Sequence, residues 1–172
     1  MATDAVDNNE VIGQMMFEKA QQEYPYLAGK DIAYKYSPKD NPEYMLESYQ
    51  GDDIPEWAKG RQAAIEVFNS KTAPLDILGD YVSHYAVTQD PKLQAYYQQF
   101  QNLLDPAMMQ ERYKYHAENL GEQRPYEQWA QMTGVPEMFR GYTFNQWPEA
   151  QKMYTPEQLN VLNQVRSYLG IK

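Results

Sequence analysis

The chain has no cysteine among its 172 residues. That excludes disulfide frameworks, thiolate nucleophiles, cysteine zinc sites and iron–sulfur clusters. Histidine is nearly missing too: His84 and His116 are the only two. Neither a Gly-x-Ser-x-Gly elbow nor a Walker A loop nor a Gly-x-Gly-x-x-Gly turn occurs, so serine-triad hydrolysis and phosphate cradling have no motif to rest on. No apolar run approaches the roughly 20 residues of a membrane-spanning helix. The polar, acidic stretch Met1 to Glu10 has neither a basic n-region nor an apolar h-region, so no signal peptide is expected. Positive charge is scarce as well, with 15 Lys and Arg against 24 Asp and Glu, a net charge of -9. Such a field repels phosphate backbones and excludes a general electrostatic nucleic-acid binder.

Aromatic surface is what the chain has in abundance. Aromatics make up 14% of residues with Tyr 16, while the mean hydropathy is -0.81. With so thin an aliphatic supply, tyrosine must serve both core and surface. Its ring gives large rigid contact area and its hydroxyl tolerates water, which is why protein interfaces favour it.

The length matches one domain, and the reading is a single domain over 1–172: an N-terminal helix at 7–23, a small β-sheet within 31–68, and a helical bundle over 72–172. Asp7 and Glu10 fit a capping box, and Val11, Ile12, Met15 and Met16 follow helical spacing until Tyr24-Pro25. Ile32, Tyr34 and Tyr36 then alternate with Ala33 and Lys35. The turn-rich Ser37-Pro38-Lys39-Asp40-Asn41-Pro42 and a second run from Tyr44 to Tyr49 complete the pattern of a β-hairpin. Ala64 to Phe68 supplies a third strand. From Thr72 the text is helical. A capping residue precedes proline at Asp90-Pro91, Asp105-Pro106 and Thr155-Pro156, so helices are predicted over about Pro74 to Thr88, Pro91 to Leu104, Pro106 to Leu120 and Pro156 to Leu169. Gly121 and Gly170 stand where C-terminal caps belong. A short helix over Pro125 to Met132 is expected to stop at Gly134, followed by an aromatic connector from Pro136 to Trp147. The expected fold is therefore α+β and mostly helical, with a small antiparallel sheet of two to three strands packed against about five helices.

Asp76, Asp80 and His84 fall at i, i+4 and i+8 on one helical face, and His116 on a neighbouring helix could complete a metal set. Helix electrostatics alone select the same arrangement, with a carboxylate in the first turn and a histidine toward the end. That plainer account is favoured, and no metal or other cofactor is expected. Glycoside hydrolysis needs only two carboxylates across a cleft, and a helix, a small sheet and a helical bundle follow the element order of lysozyme-like folds. Glu18 or Glu23 as acid, with Asp52 as partner, are the candidates for that enzymatic alternative.

Two surfaces are candidates for contact with other molecules. Tyr96, Tyr97, Gln98, Gln99 and Gln101 form a stripe of rings and uncharged amides, suited to packing against another protein. Trp129, Arg140 and Trp147 belong to an aromatic cluster with Phe139, Tyr142 and Phe144, read first as a hydrophobic seal between the last helices and second as a glycan or peptide platform.

Ala73-Pro74-Leu75-Asp76-Ile77-Leu78-Gly79-Asp80-Tyr81-Val82-Ser83-His84, running on to Pro91, resembles a family of small uncharacterised proteins encoded by tailed bacteriophages and prophages. Gly121-Glu122-Gln123-Arg124-Pro125-Tyr126-Glu127-Gln128-Trp129, running through Pro148, and the earlier Tyr34-Lys35-Tyr36-Ser37-Pro38 resemble it as well. The likeness covers the chain from about Tyr24 to its end, and the motifs are specific to the family but to no activity. The segment after the second strand is shorter and less proline-rich here than in the family pattern. The resemblance implies a phage context, located in the virion or the host cytoplasm. The expectation is a non-enzymatic virion-associated or assembly component acting through protein contacts, with phage virion proteins, a host protein or a second copy of the chain as partners. The alternatives are a host-takeover factor that inhibits a bacterial protein, and the peptidoglycan glycosidase with the carboxylates named above.

Overall fold

The structure is a computed structural model that describes residues 8–42, 44–144 and 148–172. The fold is α+β and mostly helical, with one small sheet. It divides into two compact units, the first comprising the chain up to Gln89 together with Leu169–Ile171, the second Asp90–Tyr168 with Lys172.

In the first unit, helix α1 (Asn8–Glu23) lies along strand β1 (Ile32–Tyr36). Close approach depends on Gly13, where a Cβ would come within 3.2 Å of the Tyr36 backbone nitrogen. One turn on, Phe17 stacks on Tyr34 with ring centroids 4.8 Å apart. Asp7, half of the predicted capping box, lies outside the described residues.

Strands β2 (Leu46–Gln50) and β3 (Ala63–Val67) complete a sheet of order β1-β3-β2. This corrects the predicted hairpin and the all-antiparallel pairing: β1 runs parallel to β3, and only β2 is antiparallel to it. The reason lies in the chain after Tyr36. Instead of turning back on β1, it stays alongside β3, with Ser37 N–H donating to Val67 O at 2.9 Å and Lys39 N–H to Phe68 O at 3.1 Å. It then bends near Asn41, whose φ is 49°, and returns on the far side of β3. Ala63, Ala64, Ile65 and Val67 are all buried, so the least polar strand takes the centre while the exposed Lys35 and Glu47 mark the two edge strands.

Helix α2 (Pro74–Tyr81) continues through a π-turn at Val82–Ala86 into α3 (Val87–Gln89), close to the predicted span. Ile77, Leu78, Tyr81 and Val82 are buried.

The second unit follows the proline punctuation. Asp90 caps α4 (Pro91–Asn102) by accepting from Lys92 and Leu93 N–H, and Asp105 caps α5 (Pro106–Asn119) by accepting from Ala107 N–H. Helix α8 (Pro156–Leu169) opens with a reciprocal box: Gln158 N–H donates to Thr155 Oγ1 at 3.2 Å, and Thr155 N–H to Gln158 Oε1 at 3.0 Å. Gly121 and Gly170 adopt φ of 70° and 74°, as left-handed helix caps require.

Gly134 does not end a helix. The chain runs from α6 (Tyr126–Trp129) through a π-turn at Ala130–Gly134 into α7 (Val135–Thr143), so most of the predicted connector is helical. Pro136 has no N–H to give an α-helical ladder, and the wider turn before it, in which Val135 N–H reaches Ala130 O, accommodates the ring. Glycine is required at 134 for a different reason than capping: a Cβ there would stand 2.8 Å from the Trp129 ring. Trp129, Phe100, Phe139, Leu93 and Leu162 are fully buried and form the centre of this unit, together with Met109 and Met138.

Candidate functional site

The α4 stripe divides once it is folded. Tyr97 is half-buried with its ring edge-on to Phe139 at 5.1 Å, and burial pushes its phenol up to about 12. Gln98, Gln99 and Gln101 are exposed, as is Gln94. Gln94, Gln98 and Gln101 stand at i, i+4 and i+7, on one exposed face beside the stripe of the buried Leu93 and Phe100.

Tyr96 faces another way, toward an open groove of about 430 Å³ between α4 and α8. Helix α4 lends the groove Lys92 and Tyr96; α8 lends Asn160, Asn163, Gln164, Ser167 and Tyr168. Those α8 positions follow i, i+3, i+4, i+7 and i+8, a single helical stripe. Tyr168 is anchored through its hydroxyl, which donates to Asp90 Oδ2 at 2.9 Å, and Lys92 Nζ sits 4.5 Å from its ring centroid. Asn163 Oδ1 accepts from Tyr142 OH at 2.9 Å, and Gln164 Nε2 donates to Asn160 O at 3.4 Å. Sequence reasoning missed the α8 wall. The amide and serine spacing from Asn160 to Ser167 was the available signal.

Trp129 is fully buried and so presents no ring to a partner. Its Nε1–H donates to His116 Nδ1 at 3.2 Å, and Tyr113 and Tyr126 pack around it. Arg140 is half-exposed, and Trp147 lies outside the described residues.

The proposed metal ligands do not converge. Asp76 Oδ2 accepts from Ala73 N–H at 3.0 Å, a helix-capping role. Asp80, buried in α2, accepts from the Ser48 hydroxyl, and its Oδ1 is 3.6 Å from His84 Nε2. His116 belongs to the other unit, 3.7 Å from Glu137 Oε2. Among the described residues no group of three His, Asp or Glu side chains is placed to hold a metal ion.

Glu18, Glu23 and Asp52 are all exposed. The carboxylates that do meet are two the sequence did not single out. Strand register sets Glu47 opposite Glu66, and Tyr49 OH lies between them, 2.7 Å from Glu47 Oε2 and 3.2 Å from Glu66 Oε2. Burial and the two carboxylates hold the Tyr49 phenol well above its usual range. A phenol so placed keeps its proton and bridges two like charges, which is a structural role.

No helix among the described residues is long and apolar enough to cross a membrane. Compared with family models, curated proteins and solved structures, the chain matches none of them.

Proposed function

We propose that this chain is a non-enzymatic bacteriophage protein, a virion-associated or assembly component that works by contacts with other proteins through the glutamine face of α4. The observation that carries the reading is the exposed set Gln94, Gln98 and Gln101, one face of α4 that holds no charge in a chain of net charge -9. A face that serves only hydration in so acidic a chain would be expected to carry its share of carboxylates. Neutral amides are less costly to desolvate than charges and can donate and accept at once, so they suit a surface that another protein covers. The phage context comes from the sequence resemblance given above.

The test is mass spectrometry of purified particles from a phage that encodes the chain. The reading expects the protein in the particle at a fixed copy number, and expects Gln98→Glu with Gln101→Glu to reduce its incorporation while leaving its own folding intact. Absence from mature particles and from purified assembly intermediates alike overturns it.

A further inference from the structure

The groove between α4 and α8 is separate from the glutamine face and has a chemistry of its own. Its wall on α8 is built almost entirely of neutral groups that both donate and accept. Asn160 and Ser167 use neither side chain in a hydrogen bond to the described residues. Asn163 spends its carbonyl on Tyr142 and keeps its NH₂ free to donate, while Gln164 spends an N–H on Asn160 O and keeps its carbonyl free to accept. Donors and acceptors are thus interleaved along one stripe of α8 that ends in the Tyr168 ring, with the Tyr96 ring contributed by α4.

The charged neighbours are already engaged. Lys92 sits on the Tyr168 ring, and Asp90 accepts both from the α4 backbone and from Tyr168 OH. An anion would meet that single ring-bound cation inside a chain of net charge -9, and a cation would meet no carboxylate among the lining residues. Both kinds of ion are disfavoured. A ligand that matches must be uncharged, must present hydroxyls that donate and accept in alternation, and must have C–H surface to lie against tyrosine. Those are the properties of a pyranose ring. A side-chain amide offers one donor and one acceptor side by side, the pattern that two adjacent sugar hydroxyls complement. We propose that the α4–α8 groove is a binding site for a neutral saccharide, with Asn160, Asn163, Gln164 and Ser167 reading its hydroxyls and Tyr96 and Tyr168 supporting its apolar face. The site is open, so little of the ligand is taken from water and affinity is weak, with Kd on the order of 1 mM. It does not rest on the protein-contact reading of the glutamine face.

The experiment is a titration of the full ¹⁵N-labelled chain with maltotriose and with triacetylchitotriose, followed by amide NMR, with glucuronate as the charged control. At least one neutral trisaccharide is expected to move the side-chain NH₂ signals of Asn160, Asn163 and Gln164 saturably, and glucuronate to leave them in place. Asn160→Ala combined with Ser167→Ala removes side chains that make no internal bond, so the backbone spectrum should persist while affinity falls about 10-fold or more. No saturable shift with either trisaccharide overturns the proposal. So does equal affinity in the double variant, or equal binding of glucuronate.

Discussion

The indole of Trp129 donates its Nε1–H to His116 Nδ1 at 3.2 Å, and this bond sets the tautomer of the imidazole. A nitrogen that accepts carries no proton, so neutral His116 holds its hydrogen on Nε2, the atom 3.7 Å from Glu137 Oε2. Glu137 in turn lies 3.3 Å from Arg112 Nη2. A buried ring thereby connects to a surface ion pair. Trp129→Phe keeps an aromatic ring but deletes the donor, leaving Nδ1 of a His116 side chain that is only 13% exposed without its partner. The expected loss is about 1–3 kcal/mol, read by urea unfolding. Long-range ¹⁵N spectra of the native protein should report the Nε2–H tautomer; an Nδ1–H signal would contradict the geometry.

Among the described residues, two buried hydroxyls have no hydrogen-bond partner: Tyr34 OH in the first unit and Thr143 Oγ1 in the second. Tyr34 keeps its stack on Phe17 without the hydroxyl, and Thr143, fully buried near the end of α7, has a close isostere in valine. Removing a buried polar group that makes no hydrogen bond removes a desolvation penalty. Tyr34→Phe and Thr143→Val should therefore each leave stability unchanged or raise it by about 1 kcal/mol. Thermal unfolding of the two variants checks this, and a fall in midpoint for either one shows that its hydroxyl has a partner in solution.

The punctuation of the second unit was legible in the sequence because it is local. Asp90, Asp105 and Thr155 each bond to amides two or three residues away, and a motif of that reach can be read from the residues themselves. The sheet was legible as strands but not as a topology. Nothing in Ile32–Tyr36 records that its partner is Ala63–Val67, because alternation gives a strand its faces and not its neighbour. Gly134 misled for a related reason. Glycine at a helix stop and glycine under a tryptophan look alike until Trp129 is placed in space. The candidate groove was half legible: Tyr96 lay in the stripe that composition drew attention to, while Asn160 to Ser167 come from a helix more than 60 residues away, and only folding sets the two walls side by side.

Alkaline pH should expose the tyrosine core. Burial pushes the phenols of Tyr97 and Tyr154 up to about 12, against an ordinary value of 10.0. The folded chain then holds these protons more tightly than the unfolded chain does. Their contribution to stability is complete below pH 10, where both states are neutral, and is lost as pH rises from there toward about 12, because the unfolded state ionises first. Circular dichroism and phenolate absorbance followed together should show a late group of tyrosines that ionises only as the helices melt. The two residues separate by substitution. Tyr97→Phe removes an ionisation from a ring packed on Phe139 and should move the alkaline midpoint to higher pH. Tyr154→Phe removes an ionisation too, but it also deletes the bond from Tyr154 OH to Met138 O at 2.7 Å. That variant should be less stable by about 1 kcal/mol at neutral pH. If both variants instead titrate and melt like the parent chain, neither phenol is held in the core.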